Sequence, residues 1–571
     1  MPDLSAGVKL LKIRFRFRPR FLKRLGDGVT PYFRQQIHRQ PRSSLARGRI
    51  RMLCNSENNS YDVVIAGSGF SGSLLGWILA SQGKKVLIVD RQKHPRFAIG
   101  ESSTPTADFL LAHIADRWNL KALAPLACWG TWKSRTPEVI CGKKRGFSYY
   151  RHRPGQVFSD DPDHNHSLLV AASSSDYWSD THWLRSSVDH FFIEQANAAG
   201  CRLLEHWTVQ HAEYCPHAQA WTIDLSSVHE ERQRQDGIRC SWFVDASGAG
   251  NALARFVDNP PDDAWMKTQT RAVFGHFTGV APFDQARSSD DPFCGDDAAQ
   301  HHVLDHGWCW MLRMDNGTTS VGMVEPTGSP WTTIGDAGQP SGAATPDTHF
   351  QSVLKTYPSV AGLLAGANRI APTGAMGFLP RLSRCRRQAV GDGWVLMPVT
   401  FGFVDPLHSS GIAHALSGVL RIAEALLSNS NRCRQLLFQY SEDVRREAEW
   451  LDLLVAGCYA ALPSFRAFQA FACLYFMSAI RFEQQLAKDP SSWPLGFLQS
   501  RDPELKPVAI DAYGRLPFLT ADPHRSADRM FSDLIRRAIE PWNSAGLLDP
   551  ANKNRIAHSA APKYAHIATG T

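Results

Sequence analysis

The stretch that decides the fold is YDVVIAGSGFSGSLLGWILASQGKKVLIVDR, residues Tyr61–Arg91. Its β-branched start, Asp62–Ala66, predicts a buried parallel strand, and the Ala- and Leu-rich run up to Ser81 predicts a helix. A second strand is predicted over Val86–Val89. Because a strand, a glycine-rich turn, a helix and a strand follow in this order, we predict a doubly wound, Rossmann-type sheet.

The turn between the first strand and the helix, residues 67–72, fits the pattern G-x-G-x-x-G. Glycines permit a tight turn, approach of a pyrophosphate and close helix packing, and the helix N-terminus favours phosphates. Asp90 lies about 20 residues further on, where a carboxylate accepts ribose hydroxyls. The alternative is a turn that only packs the helix on the sheet. We predict a bound dinucleotide, contacted by Gly67, Gly69, Phe70, Ser71, Gly72, Asp90 and Arg91.

Composition places the chain among ordinary globular proteins, with 571 residues, 43% of them hydrophobic and 20% charged. The twelve cysteines form no C-x-x-C pair, so neither a zinc site nor a disulfide framework is predicted, and a cytoplasmic location is the default. His301, His302 and His306 lack an acid or thiol that would complete a ligand set, so no metal is expected. No apolar run reaches the roughly 20 residues of a transmembrane segment.

The net charge of +8 belongs to an N-terminal arm, because residues 1–58 alone carry fourteen Lys and Arg against three acids. The remaining residues are therefore slightly acidic. Three interpretations of the arm stay open: a disordered arm or translated sequence upstream of a start at Met52, a targeting peptide, and an arm that binds nucleic acid or a membrane surface. We treat it as a basic, disordered arm and expect no nucleic-acid partner.

Three later segments carry a family resemblance. They are IGESSTPTADFLL (Ile99–Leu111), an amphipathic helix predicted over Trp183–Glu205 and headed by Arg185, and WFVDASGAGNALAR (Trp242–Arg255). Their order resembles that of the FAD-dependent monooxygenases of the aromatic-hydroxylase type, and more narrowly the tryptophan-type flavin-dependent halogenases. The resemblance runs over residues 61–427.

This resemblance implies FAD as the dinucleotide, and it implies that the three segments lie along it. The residues it assigns to the cofactor are Glu101, Ser102, Arg185, Asp245, Ser247 and Gly248. Arg185 offers a fixed fork of donors for phosphate or ring oxygens. The alternative for Arg185 is a surface ion pair with Asp189 on its own helix. No second strand, glycine-rich turn and helix unit follows, so a tightly bound NADPH is not expected.

The stretch FVDPLHSSGI, Phe403–Ile412, matches the halogenase-associated pattern F-x-x-P-x-x-S-x-G. A helix start of this kind implies backbone amides beside the reduced flavin ring, where oriented N–H groups stabilise negative charge. The residues so assigned are Asp405, Gly411 and Ile412 for the flavin, and Ser409, Ser410 and Gly411 for chloride or bromide. A plain turn with a serine capping the helix is the alternative. Pro398-Val399 stands where related proteins carry Gly-Asp, so one cofactor contact is in question.

Two further elements resemble halogenase signatures. Trp308-Cys309-Trp310-Met311-Leu312-Arg313 lies in a predicted hairpin, His306–Val324, and is similar to W-x-W-x-I-P, with Leu and Arg in the last two positions. In the family, the two indoles separate substrate from flavin, although alternating Trp residues also suit a core. Lys144-Arg145-Gly146-Phe147-Ser148-Tyr149 is similar to K-x-G-x-x-F, which implies that Lys144 is catalytic; its neighbour Lys143 and a solvated basic turn remain alternatives.

The C-terminal part predicts two helices broken at Pro463. We therefore expect an α/β fold: a Rossmann-type FAD-binding domain interleaved with an antiparallel β-sheet substrate domain over residues 59–430, a helical C-terminal cap over 431–550, and a loose tail over 551–571.

The implied function is a halogenase that uses reduced FAD from a separate flavin reductase, O2 and halide on a small aromatic or polyene substrate. An FAD monooxygenase or a geranylgeranyl-reductase-like oxidoreductase is the alternative. A non-catalytic flavoprotein that binds nucleic acid through its arm also stays open.

Overall fold

The computed structural model describes residues 59–557, apart from 231, 330–331, 335–339, 344 and 520–525, so the arm of residues 1–58 lies outside it. Its strands, in chain order, are β1 (Ser60–Ala66), β2 (Val86–Asp90), β3 (Cys141–Lys144), β4 (Gly146–Arg151), β5 (Ser167–Ala171), β6 (Asp180–Trp183), β7 (Arg202–Glu205), β8 (Trp207–Cys215), β9 (Ala220–Ser227), β10 (Arg234–Asp245), β11 (Thr270–Thr278), β12 (Ala299–Leu304), β13 (Gly307–Arg313), β14 (Thr319–Pro326), β15 (Thr332–Ile334), β16 (Pro340–Ala343), β17 (Asn368–Ala371), β18 (Gly377–Leu379), β19 (Arg384–Cys385), β20 (Val390–Gly391), β21 (Trp394–Leu396), β22 (Gly402–Phe403) and β23 (Arg555–Ile556).

The α-helices, in the same order, are α1 (Phe70–Ser81), α2 (Pro105–Arg117), α3 (Trp129–Arg135), α4 (Arg185–Ala198), α5 (Pro346–Thr356), α6 (Pro358–Leu364), α7 (Pro398–Phe401), α8 (Gly411–Leu427), α9 (Ser430–Ala460), α10 (Phe465–Lys488), α11 (Leu505–Leu519) and α12 (Ser526–Ile539). Among the residues described, no helix combines the length and the apolar character needed to cross a bilayer.

The first sheet confirms the predicted Rossmann-type core. Its strand order is β20-β21-β10-β1-β2-β7, and β1 runs parallel to both β10 and β2. β1 and β2 are buried, as their continuous apolar sequences require of strands covered on both faces. α4 ends at Ala198, earlier than the predicted helical stretch, because Gly200 adopts φ +103° and the chain turns into β7.

The second sheet has the order β17-β11-β14-β13-β12-β4-β5-β23 and is largely antiparallel. Its strands alternate in sequence with those of the first sheet, which confirms the interleaved α/β architecture. The predicted hairpin is β13 and β14, joined at Asp315-Asn316-Gly317. A short ribbon, β3 with β6, places Lys144 directly opposite Asp180.

The C-terminal helical region is present, and its first two helices break around Pro463, between α9 and α10, as predicted. The segment after residue 551, expected to be loose, is held at its start. Strand β23 pairs in parallel with β5. The Arg555 guanidinium is buried and donates to Asp291 at 2.7 Å and to Ser167 at 2.8 Å. Residues 558–571 lie outside the described part.

A buried ion-pair cluster joins α8 to α9. Glu447 accepts from Arg421 at 2.8 and 3.0 Å and lies 2.9 Å from His414 Nε2. Burial alone would raise the pKa of Glu447, but Arg421 and His414 hold that pKa at about 2. A depressed pKa of this kind stabilises the fold above the ordinary value near 4.5, and the stabilisation is lost as the pH falls towards 2.

We expect Glu447→Gln to lower the free energy of unfolding by about 3–5 kcal/mol at neutral pH, because it leaves the Arg421 guanidinium buried without its counter-charge. The difference from the wild type should shrink below about pH 4. Urea unfolding measures both effects. Glu442→Gln on the same helix removes an exposed partner of Arg446 and should cost under about 1 kcal/mol; equal losses in the two variants would contradict the cluster's role.

Candidate active site

The candidate site is a cavity of about 730 Å³ that extends from the carboxyl ends of β1, β2 and β10 to the second sheet. Such a crevice is where open α/β sheets bind ligands. The sequence-predicted residues that line it are Gly67, Gly69, Phe70, Ser71, Asp90, Arg91, Glu101, Ser102, Arg185, Ser247, Gly248, Trp308, Trp310, Ser409, Gly411 and Ile412. The cavity therefore brings together segments that lie more than three hundred residues apart in the sequence.

The glycine turn packs tightly against the end of β10. Gly67 has φ +107°, and a Cβ there would lie 2.6 Å from the Ala246 carbonyl oxygen. A Cβ on Gly72 would lie 2.1 Å from the Gly67 oxygen. Gly72 is absent from the cavity lining and instead lets α1 approach the turn. The geometry fits a dinucleotide pyrophosphate at the N-terminus of α1, since backbone rather than side chains forms this part of the wall.

Asp90 closes the same end of the cavity. Its carboxylate accepts from both the backbone and the hydroxyl of Ser68 at 2.8 Å, and from the Gln92 amide at 2.9 Å. Its orientation is fixed by these bonds.

Arg185 is buried and joins α4 to the loop that contains Ile99 and Gly100. Its guanidinium donates to Asp189 at 2.8 and 2.9 Å, and to the carbonyls of Ile99 and Gly100 at 2.8 and 3.0 Å. The ion pair within α4, left open from the sequence, is therefore present, but it lies inside the molecule. Arg185 also lines the cavity, 4.8 Å from the centroid of the Phe70 ring.

Two aspartates assigned to the cofactor are absent from the cavity lining. Asp245 accepts from Ser247 and from the Leu253 amide, and burial raises its pKa. Asp405 is 4% exposed and bonds to Thr270 and Tyr459. Each carboxylate supports a turn whose neighbouring residues line the cavity. Pro398-Val399 occupies the position at which related proteins carry Gly-Asp. At this position Val399 and Thr400 line the cavity, and the Thr400 hydroxyl accepts a hydrogen bond from the Gly248 amide at 3.0 Å.

The stretch Phe403–Ile412 contributes Phe403, Pro406, Ser409, Gly411 and Ile412 to the cavity lining. Ser409 has φ +54°, and Ser410 stands at the N-cap of α8 without making a side-chain capping bond. The first helical hydrogen bond of α8 runs from the His414 amide to the Ser410 carbonyl at 2.9 Å. The preceding amides of the first turn are therefore those that a helix leaves unpaired. Such amides can hold a halide or the electron-rich edge of a reduced flavin.

Trp308 and Trp310, here called the indole wall, stand side by side in β13 with ring centroids 6.0 Å apart. Both line the cavity and are nearly fully buried. The Trp310 indole donates to the Ser320 hydroxyl at 3.1 Å and lies over Gly322, where a Cβ would come within 2.2 Å of the ring.

Lys144 is 0% exposed and is not among the residues that line the cavity. Its Nζ donates to the Ser103 carbonyl at 2.5 Å and lies 3.9 Å from the Phe147 ring centroid. Lys143 instead pairs with Asp176 at 2.7 Å and with Asp297 at 3.0 Å near the surface. The structure thus separates the two lysines: one amine is enclosed, the other is in a partly solvated ion pair.

His301, which was considered from sequence only as a metal ligand, belongs to the cavity wall. Its ring lines the cavity and lies 5.0 Å from that of Trp308. Burial, with a contribution from the Lys144 charge, lowers the pKa of His301 to about 4. The same two causes lower the pKa of His182 to about 3. Both imidazoles are therefore neutral near pH 7.

Arg384 and Tyr459 were also missed. Arg384 lines the cavity and donates to the carbonyls of Leu382 and Val399, and burial lowers its pKa to about 10. No motif marked Arg384. Tyr459 donates to Asp405 and accepts from the Trp308 indole, across 151 residues of sequence. The position of His301 beside the two indoles could have been predicted from the pairing of β12 with β13, since His301 is paired with Trp310.

The chain is similar to known proteins in sequence and in fold. A family model described as an NAD(P)-binding Rossmann-like domain matches residues 65–115. The chain is 28% identical over 439 residues to monodechloroaminopyrrolnitrin halogenase PrnC of Pseudomonas fluorescens, covering 74% of this chain and 72% of the relative. It is 27% identical to tetracycline 7-halogenase of Kitasatospora aureofaciens, covering 71% of each.

Among solved structures, the halogenase PltM in complex with phloroglucinol and FAD superposes with a TM-score of 0.75 at 22% identity, over 86% of this chain and 99% of that one. At this identity the similarity demonstrates the fold, including the arrangement of the two sheets and the C-terminal helices.

Proposed function

We propose that this chain is a flavin-dependent halogenase that uses reduced FAD, O2 and chloride or bromide to halogenate an electron-rich aromatic ring. Bound reduced FAD would supply, with O2, the two-electron oxidation of halide. The observation that carries the proposal for this chain's own residues is the enclosed amine of Lys144, which is separate from a cofactor-sized cavity bordered by the indole wall.

Two parts of the chain would bind the cofactor and the halide. The turn Gly67–Gly72 and Arg185 hold the FAD in place, and Asp90 accepts its ribose hydroxyls. The first-turn amides of α8, near Ser409 to Ile412, hold halide beside the flavin ring. Oriented amides stabilise an anion without reorganising, which is the advantage of a preorganised helix start.

Lys144 would then hold the oxidised halogen and direct it to the substrate. Its amine lies against the Phe147 ring and opposite the buried Asp180, in surroundings that exclude bulk water. Exclusion of water prevents hydrolysis of a reactive intermediate before it meets the ring. The neutral imidazoles of His182 and His301 would border the same region.

The substrate class follows from the aromatic face of α10. Phe147 and Tyr149 pack edge-on against Phe468, Tyr475 and Phe476. Flat side chains of this kind favour a planar ring. PrnC is named as a halogenase of monodechloroaminopyrrolnitrin and the second relative as a halogenase of tetracycline, and PltM was solved with phloroglucinol. We therefore propose a phenol- or pyrrole-type substrate rather than a polyene.

We also propose a separate flavin reductase as the source of reduced FAD, and a cytoplasmic location. The described cysteines are all free thiols, which fits a reducing compartment.

Mass spectrometry tests the function directly. The protein is incubated with FAD, a flavin reductase, NADH, bromide and a pool of phenols, pyrroles, indoles and polyenes. We expect a product with the paired-isotope pattern of bromine that disappears when bromide or O2 is omitted. An oxygenated product that forms regardless of bromide would instead establish a monooxygenase, and a saturated product a reductase.

A further inference from the structure

A continuous chain of hydrogen bonds runs from the indole wall to the turn that begins α8. The Trp308 indole N–H donates to the Tyr459 hydroxyl at 2.9 Å. That hydroxyl donates to Asp405 Oδ2 at 3.0 Å. Thr270 donates to the same oxygen at 2.7 Å, and the Leu407 amide donates to the other oxygen at 3.0 Å. The chain therefore ties together β13, α9, β11 and the turn that follows β22.

The Tyr459 hydroxyl holds the polar edge of Trp308. The indole is 2% exposed and lines the cavity, and its other ring neighbours are His301 at 5.0 Å and Trp310 at 6.0 Å. An indole carries a single donor, and burying that donor without a partner is unfavourable. Loss of the hydroxyl therefore favours rotation of the indole towards another acceptor, and rotation would open the indole wall.

Asp405 fixes the hydroxyl in turn. Its carboxylate is almost fully buried and is not among the cavity-lining residues. Its hydrogen bonds therefore lie in the protein interior and not in the cavity. A hydroxyl can rotate, but one that must donate to Asp405 has its lone pairs directed at the indole N–H. The direction of every bond in the chain is thus set by the ionised carboxylate at its end.

We propose that Tyr459, oriented by Asp405, is a positioning residue that locks Trp308 in the indole wall and so determines how much of the oxidising power reaches the substrate. This inference rests on the proposed function. In the coupled reaction, FADH2, O2, halide, one proton and a substrate C–H give FAD, a carbon–halogen bond and two waters. In the uncoupled reaction, FADH2 passes two electrons and two protons to O2, which gives FAD and hydrogen peroxide.

The ionisation of Asp405 supplies an independent readout. Burial raises its pKa to about 6, against the hydrogen bonds from Thr270, Leu407 and Tyr459. The titratable groups found to interact with it are Tyr459 and Cys458, and burial raises both of their pKa values well above the usual range. Above about pH 6 the carboxylate accepts all of these hydrogen bonds. Below about pH 6 one of its oxygens carries a proton, and the hydrogen bonds from Trp308 to Asp405 no longer have a fixed direction.

The test compares two tyrosines of α9, Tyr459 and Tyr440. Tyr459→Phe removes the hydroxyl at the indole. Tyr440→Phe is the matched control, since its hydroxyl donates to the Leu396 carbonyl at 2.7 Å. We expect Tyr459→Phe to lower brominated product per reduced flavin at least about fivefold, with a matching rise in hydrogen peroxide, while FAD affinity changes by less than about twofold. Tyr440→Phe should keep the wild-type ratio.

Two further measurements separate positioning from a general structural loss. In the Trp308→Phe background, Tyr459→Phe should cause no additional loss of product, because Tyr459 acts only by holding the Trp308 indole. In protein labelled with 5-fluorotryptophan and free of flavin, the Trp308 fluorine resonance, identified by its absence in Trp308→Phe, should shift in Tyr459→Phe and stay in place in Tyr440→Phe.

The pH profile uses a second variant. The product ratio of the wild type should fall as the pH drops through about 6, and Asp405→Asn should remove that inflection. An unmoved fluorine resonance in Tyr459→Phe, an unchanged product ratio, or a further loss in the double variant would overturn the inference. If the wild type brominates nothing, the proposed function fails, and the fluorine spectra still decide whether Tyr459 positions Trp308.

Discussion

Replacing Lys144 by alanine is expected to abolish halogenation, lowering kcat/KM about 10³-fold, which corresponds to about 4 kcal/mol of transition-state stabilisation. The reason is that the neighbouring amine cannot replace it, because Lys143 is held near the surface by Asp176 and Asp297. FAD affinity should change by less than about twofold, since Lys144 is not among the cavity-lining residues. Brominated product and hydrogen peroxide are measured per reduced flavin consumed, and peroxide should account for nearly all of it.

Lys143→Ala is the matched control, because it removes an identical side chain one position away. It breaks partly exposed ion pairs and should leave product formation near the wild-type rate. Lys144→Arg separates charge from geometry: it keeps the cation but replaces the compact amine with a planar fork. We expect Lys144→Arg to remain inactive. Full product formation in Lys144→Ala, with a wild-type melting temperature, would remove Lys144 from the mechanism.

The sequence predicted those parts of the site that neighbouring residues determine. The turn Gly67–Gly72 follows a β-branched strand and opens an Ala- and Leu-rich helix, so its place at the carboxyl end of β1 could be read from about 30 residues. The same holds for the helix start at Gly411, which follows a rigid turn at Asp405-Pro406. In both cases the proposed role belongs to backbone amides, and a local pattern fixes the backbone.

Side-chain environments that depend on distant pairing could not be predicted. Lys144 and Lys143 are adjacent and basic, and only the pairing of β3 with β6 decides which of them is enclosed. Arg185 and Asp189 are four residues apart, so their ion pair was foreseeable; the carbonyls of Ile99 and Gly100, which bury it, were not. Tyr459 reaches Trp308 from a helix that carried no motif, so no local signal marked it.

The C-terminal tail shows the same limit. Residues after 551 lack periodicity, which favoured the prediction of a loose tail. The Arg555 guanidinium nevertheless donates hydrogen bonds to Asp291 and Ser167, which lie far earlier in the chain. A two-residue strand has no period to detect. Its stability comes from the buried guanidinium and from the partner strand β5.

The second large effect is expected for Gly72→Ala, which should weaken FAD binding about 10- to 100-fold. This corresponds to a loss of about 1–3 kcal/mol of binding free energy, caused by overpacking between α1 and the glycine turn. A Cβ at this position would lie 2.1 Å from the Gly67 carbonyl oxygen and 2.9 Å from the Ala246 Cβ. Because both atoms belong to the sheet end and its turns, α1 has to move away and carry Gly69, Phe70 and Ser71 with it. Titration of FAD, followed by its fluorescence, measures the dissociation constant.

Gly514→Ala is the control for adding a methyl group to a helix. Gly514 lies within α11, and a Cβ there would meet nothing within 4 Å. This change should leave FAD affinity unaltered and raise the free energy of unfolding by about 0.5–1 kcal/mol, since alanine favours a helix over glycine. Unaltered FAD affinity in a folded Gly72→Ala variant would mean that the cofactor does not depend on the approach of α1 to the glycine turn. The loss should also persist at saturating halide, because the first-turn amides of α8 belong to a different element from the one displaced.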